Sequence, residues 1–225
     1  FLFLGFAQRR AMATDGVARP FDVNGTGLLV GEGAAAVTLK RLSDAQADGD
    51  TIHGILRGGG LGNDGKKGNL LAPSASGQER ALRQAYTRAQ LAPADVGYTE
   101  CHATGTQLGD GTELTTLGKI HSGRTLPMVV SSTKGQIGHT ITVAGLAGLI
   151  RATGAVRDGF FPPTPGCTIP LEMSEYLRVL HNSETWNEDQ RVAAVSAFGF
   201  GGTNAHVLVS NVASRQTPPE HTGVD

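Results

Sequence analysis

Residues 192–210 read VAAVSAFGFGGTNAHVLVS. The run 192–197 is β-branched and small, breaks at Gly199, Gly201 and Gly202, and is answered by a second apolar run over 205–210. This is a strand, a glycine loop and its antiparallel partner. The glycines suit a turn that needs positive φ. Working outward, residues 97–102 form a short strand running into a polar turn, and 128–132 a strand of the buried type. Helical patterns cover 76–90, 110–120 and 144–156, the last rich in small residues and suited to close packing. Strands alternating with helices imply layered α/β architecture.

Toward the N-terminus, residues 34–39 and 51–57 alternate as strands do, and 43–49 form a polar turn or short helix. Residues 58–68 contain six glycines and read as a loop. In the helix at 76–90, Ser76 stands three residues before Glu79, the capping-box spacing, and Ala81, Leu82, Ala85 and Ala89 form its apolar face. From residue 213 onward the chain is polar, with two prolines, and reads as a tail or linker.

The 225 residues include 19 Lys plus Arg against 20 Asp plus Glu, so the net charge is −1. That balance offers no electrostatic case for binding nucleic acid or an anionic membrane surface. No apolar run approaches the roughly 20 residues that span a bilayer, and Arg9 and Arg10 follow the opening apolar residues rather than precede them. Cys101 and Cys167 are too few for a disulfide framework. These features describe a cytoplasmic, enzyme-like chain. The 32 glycines are clustered and follow no three-residue period, which excludes collagen.

Three segments set a strand end against a turn of Gly, His and Thr. They are ECHATGTQLGDGTE at 100–113, SSTKGQIGHT at 131–140, and SAFGFGGTNAH at 196–206. Taken singly, a His beside a strand end is more often a structural residue, Lys134 a solvated charge, and Phe198 and Phe200 core. Taken together, they describe a site built from loops on one rim of a sheet. Cys101 and His102 are adjacent in a strand and point to opposite faces, which argues against a Cys–His pair. His102 and His139 lack metal-ligand spacing, so no metal site is expected.

These segments resemble the condensing enzymes, the β-ketoacyl synthases of fatty-acid and polyketide assembly. The family's HGTGT…GD..E appears as HATGT at 102–106 with Gly109, Asp110 and Glu113. Its K…GH appears at Lys134 and His139, its FGFGGTNAH at 198–206, and its PFD…GEGA at 20–34. The resemblance implies a thiolase-like α/β/α fold, of which this chain is the C-terminal half. Residues 1–48 would be the tail of the N-terminal half, 49–212 the C-terminal half, and 213–225 the linker. The HATGT form is closer to multidomain polyketide or polyunsaturated-fatty-acid synthases than to stand-alone enzymes.

What the resemblance implies for the site is specific. His102 and His139 would stabilise the enolate formed when a malonyl thioester loses CO₂, and Lys134 would order them, with Glu113. Phe200, between Gly199 and Gly201, would gate the acyl site and lend its N–H to an oxyanion hole. Thr104 and Thr106 would bind the phosphopantetheine arm, and Asn204 would be a supporting residue. The family's nucleophilic Cys lies upstream of the PFD motif, and neither Cys101 nor Cys167 stands at its position. The chain would then bind no cofactor of its own. It would receive phosphopantetheine on an acyl carrier protein or domain, pair with the missing N-terminal half, belong to a homodimer, and be inactive as an isolated piece. An isolated half would also expose a sheet face. The alternatives are a non-catalytic partner domain of the chain-length-factor type, which needs neither His nor Lys, and a degradative thiolase, which needs a Cys in this half.

Overall fold

The computed structural model describes residues 2–65 and 72–212. The elements are α1 (Leu2–Gln8), α2 (Leu42–Ala47), β1 (Ile55–Asn63), α3 (Ala75–Ala89), β2 (Tyr98–Glu100), α4 (Gln107–Ile120), β3 (Met128–Ser131), α5 (Lys134–Ile137), α6 (Ala144–Asp158), β4 (Phe160–Phe161), β5 (Leu177–Val179), β6 (Glu184–Thr185), β7 (Val192–Phe198) and β8 (Thr203–Ser210). Six strands make one sheet in the order β1-β8-β7-β2-β3-β5. Strand β8 runs antiparallel to both neighbours, while β7, β2, β3 and β5 are mutually parallel. The hairpin β7–β8 pairs Val195 with Val207 and Ser196 with His206, as the 192–210 stretch implies.

Both faces of the sheet are covered. On one, α3 and α4 bury Leu82, Tyr86, Leu114 and Leu117 against Met128, Val130, Ala194 and Leu208. On the other, α6 lays Ala152, Ala155 and Val156 over Tyr98, Val129, Val195 and Val209. Burying each Leu or Val side chain contributes roughly 1.5–3 kcal/mol. The expected α/β/α layering is therefore present among the described residues, while at the edge strand β1 the side chains of Leu56 and Leu61 stay exposed. What lies open is the groove between α6 and residues 36–56, where Leu39, Leu42, Leu56 and Ile150 are exposed.

The glycines of 58–62 are strand, not loop. Strand β1 begins at Ile55 and continues to Asn63, displaced toward the C-terminus from the expected 51–57. A Cβ on Gly58 would lie 2.8 Å from the Ala89 nitrogen, on Gly60 2.0 Å from the Ala81 oxygen, and on Gly62 2.4 Å from the Gly77 oxygen. Alternate glycines of β1 thus face helix residues spaced four apart: Gly77, Ala81, Ala85 and Ala89. Two strand residues and four helix residues both advance about 6–7 Å, so the two rows stay in register. Glycine here marks close backbone approach rather than a turn. The last residues of the expected 58–68 loop, and the tail from 213, lie outside the described residues.

Two other expectations are corrected. Helix α3 is capped by Ser74, whose Oγ accepts the Gly77 N–H at 3.3 Å. Ser76 lies inside the helix, and Glu79 instead meets Arg83 and Lys119. Residues 34–39 are not a strand, because among the described residues no edge pairs with them. The short helix α2 and the helices α4 and α6 stand where the sequence places them.

Candidate active site

The parallel strands β7, β2 and β3 end on one rim. The glycine loop follows β7, His102 follows β2, and Lys134 and His139 follow β3. Ligand sites in such sheets lie beyond the carboxyl ends of the strands. The rings of His102 and His139 stand 5.3 Å apart, nearly perpendicular, and His102 lies 5.7 Å from the Phe198 ring. A cavity of about 210 Å³ opens here, lined by His102, Thr104, Thr106, Phe198, Phe200 and Asn204 among others.

Helix α4 shapes the His102 loop. Asp110 and Glu113, three residues apart, face it from the same side of the helix. Glu113 accepts the N–H groups of His102 and Ala103, both at 2.9 Å. Asp110 accepts those of Thr104 at 2.8 Å, Gly105 at 3.0 Å and Phe21 at 2.9 Å. Burial raises the Asp110 carboxyl to about 6 and the Glu113 carboxyl to about 7, against the downward pull of these N–H groups and of Lys134. The loop thereby presents Thr104 and Thr106, whose hydroxyls are 3.0 Å apart. Phe21, at φ +63°, is held in the left-handed region by Asp110 and by the Leu171 N–H.

The tautomer of His139 follows from its surroundings. Its Nδ1 accepts the Ile141 N–H at 3.0 Å, which puts the ring proton on Nε2. That Nε2 is buried without a partner among the described residues. Ile141 is a β-branched residue at φ +55°, a conformation that costs of order 1–3 kcal/mol and persists where the surroundings enforce it. Burial and the Lys134 cation lower His139 to about 4 and push His102 well below the usual imidazole range. Both rings are neutral at physiological pH.

Lys134 is buried, and its ammonium donates to the Cys101 carbonyl at 3.2 Å, not to an imidazole or to Glu113. Burial pulls it below the ordinary lysine range, opposed by Glu100, Glu113, Cys101 and Asp110. In the glycine loop, Gly199 N–H bonds the Thr203 oxygen at 2.6 Å, and Gly201 and Gly202 take φ +89° and +84°. Asn204 Nδ2 donates to Asp64 at 2.7 Å and to the Gly202 oxygen at 3.2 Å, tying the loop to the end of β1. Phe200 is not core: it is 47 % exposed and packs 4.8 Å from Phe6.

Every expected site residue therefore reaches this rim, but not all face the cavity. His139, Lys134 and Gly201 are not among the residues that line it, and the His139 ring reaches the site through its 5.3 Å approach to His102. The sequence reading missed Asp64, Asp110, Glu100, Arg151 and the Ile141 N–H as parts of the site. Asp110 stood in a quoted motif at helical spacing from Glu113 and was readable there. Glu100 opens the same quoted segment, but its contacts, like those of the other three, depend on tertiary approach. Burial raises both thiols, Cys101 well above its usual range and Cys167 to about 12, so neither is an activated nucleophile. No group of three His, Cys, Asp or Glu side chains gathers in metal-binding fashion among the described residues. No helix among them is long and apolar enough to cross a membrane.

Residues 53–168 match the family model described as the β-ketoacyl synthase C-terminal domain. The chain belongs to the β-ketoacyl synthase family. Residues 1–45 match the N-terminal domain of β-ketoacyl synthases and 165–224 the ketoacyl-synthetase C-terminal extension. The chain is 39 % identical over 222 residues to the PKS-NRPS hybrid synthetase ATPKS of Aspergillus niger, and 41 % identical over 218 residues to a phenolphthiocerol/phthiocerol polyketide synthase of Mycobacterium tuberculosis. Each alignment covers 92 % of this chain and 12 % of the relative. The ketosynthase from module 6 of the bacillaene synthase of Bacillus subtilis superposes with a TM-score of 0.89 at 34 % identity, covering 94 % of this chain and 40 % of that one. The chain thus has the thiolase-like fold of the C-terminal part of polyketide-type ketosynthases, and spans a small part of the relatives it matches.

Proposed function

We propose that this chain is the extender-binding half of a polyketide-type ketosynthase performing decarboxylative Claisen condensation. The observation that carries it is the pair of neutral imidazoles 5.3 Å apart, with His139 Nδ1 occupied and Nε2–H without a partner among the described residues. A malonyl thioester docks with its carbonyl toward these rings. Its C–C bond to the carboxylate breaks, CO₂ leaves, and the electron pair forms an enolate. N–H groups aimed at the enolate oxygen stabilise the charge as it develops. The enolate carbon attacks an acyl thioester held on a Cys of the N-terminal half. Collapse expels that thiolate and yields the β-ketoacyl thioester.

The remaining groups serve this step. Thr104 and Thr106 hold the phosphopantetheine arm delivered by an acyl carrier protein or domain. The Phe200 N–H, which has no partner among the described residues, forms part of the acyl oxyanion hole. Lys134 keeps the imidazoles neutral and braces the strand before His102. Residues 1–48 belong to the N-terminal half and 49–212 to the C-terminal half. The open groove beside α6 receives the rest of the N-terminal half, and the assembled cytoplasmic enzyme is a homodimer with no cofactor bound by this chain. The isolated chain is expected to catalyse no condensation.

The test is release of CO₂ from malonyl-pantetheine by the intact ketosynthase. His102→Ala should abolish it while acyl loading survives. Normal decarboxylation in that variant overturns the role given to His102.

A further inference from the structure

The two histidine loops are joined by a pair of crossed bonds. Glu100, the last residue of β2, is 1 % exposed and faces α6, where its Cγ would lie 3.0 Å from a Cβ placed on Gly148. One carboxylate oxygen accepts the Thr133 N–H at 2.6 Å. The other takes Arg151 at 3.1 Å and the Tyr98 hydroxyl. Arg151 in turn binds Ser131 Oγ at 2.9 Å and the Pro163 oxygen at 2.5 Å. The reverse bond comes from the next residue along: Lys134 donates to the Cys101 carbonyl at 3.2 Å. Side chain 100 thus holds backbone 133, and side chain 134 holds backbone 101. A third tie, Ser132 Oγ to the Ala103 oxygen at 2.8 Å, lies beside them.

A buried ion pair such as Glu100–Arg151 adds little net stability, because desolvation offsets the attraction. Its effect is on position. Held at one oxygen by Arg151 and Tyr98, the carboxylate fixes where the turn after β3 begins. That turn carries Lys134 and then His139, while the bond from Lys134 fixes the residue before His102. We propose that Glu100 is a positioning residue that, crossed with Lys134, sets the separation of His102 and His139. The role rests on the ketosynthase reading and deepens it.

Thr133 provides a backbone test. Its φ of −61° already suits proline, so Thr133→Pro deletes the N–H given to Glu100 and leaves the Glu100–Arg151 pair whole. Decarboxylation of malonyl-pantetheine by the intact ketosynthase is measured for the wild type, T133P, E100A, E100Q and the T133P/E100A double variant. A displacement of about 1 Å in a catalytic group can cost on the order of a hundredfold, so kcat should fall at least about tenfold in T133P and E100A. KM should stay within about twofold, because the threonines that hold the arm are untouched. The double variant should fall no further than E100A, since E100A already lacks the Thr133 contact that T133P deletes. E100Q keeps an acceptor oxygen for Thr133 and should recover much of the loss. T133P at wild-type kcat overturns the proposal, as does an additive cycle or an E100Q no better than E100A. Should E100A fail to fold, T133P and E100Q still decide. A wild-type protein that releases no CO₂ overturns the ketosynthase reading itself.

Discussion

Glu113 and His102 meet through the backbone: the Glu113 carboxylate accepts the His102 N–H at 2.9 Å and leaves the imidazole free for other work. With Asp110 it binds four consecutive N–H groups, from His102 to Gly105. The GD..E spacing is a clamp on the loop that carries the histidine and both threonines. Replacing Asp110 by Asn puts amide hydrogens against N–H groups and leaves buried donors unpaired, costing about 1–3 kcal/mol each. Urea unfolding of D110N should show that loss, together with reduced decarboxylation. Wild-type stability in D110N would remove the clamp from the account.

The glycine row of β1 predicts a contrast between neighbours. Gly60→Ala places a Cβ 2.0 Å from the Ala81 oxygen, whereas on Gly59 the nearest atom is 3.6 Å away. Forcing a methyl into a packed seam typically costs about 1–3 kcal/mol or slightly more, so G60A should lower the unfolding midpoint clearly and G59A should not. Equal effects would mean that the close approach of α3 is not what glycine serves here.

Stability should depend on pH through two histidines outside the site. His121, between Tyr86 and Arg124, and His206, beside Ser196, are buried and lowered from 6.5 to about 3, chiefly by burial, with Arg124 adding to it for His121 and His121 for His206. Between about 3 and 6.5 the unfolded chain binds these protons and the folded chain does not, so unfolding free energy should fall as pH drops through that range. Above 6.5 both states are neutral and this contribution is complete. The raised Asp110 and Glu113 carboxyls act in the opposite sense over this range, so the contribution is read as the difference between wild type and His121→Gln in urea melts from pH 4 to 7, the variant losing less stability as pH falls. An unchanged slope in H121Q would assign the acid sensitivity elsewhere.

Thr104 and Thr106 should report on binding rather than chemistry. Thr106→Val keeps the shape and removes one hydroxyl at the cavity wall. A lost hydrogen bond of about 0.5–1.5 kcal/mol corresponds to a roughly two- to tenfold rise in KM for malonyl-pantetheine. The kcat should barely move. A fall in kcat at constant KM would place the hydroxyl in the reaction step.

The residue types and their order already implied that this is layered α/β and that three loops share one rim, and the resemblance to the condensing enzymes named the histidines, lysine, threonines and phenylalanine expected there. Those features are local: a strand pattern, a helix period, and motifs whose chemistry is carried by adjacent residues. Only the tertiary structure showed that Gly58, Gly60 and Gly62 are strand, because what decides their state is the backbone of α3 lying across them. Only it left residues 34–39 without a partner strand among the described residues, since a strand needs an edge to bond. Only it fixed the His139 tautomer through the Ile141 N–H and turned Lys134 toward a carbonyl. It also brought Thr133 to Glu100 and Asn204 to Asp64, 33 and 140 residues apart. Hydrogen bonds between such distant residues depend on how the layers stack, and a linear pattern of side chains carries no distance between them.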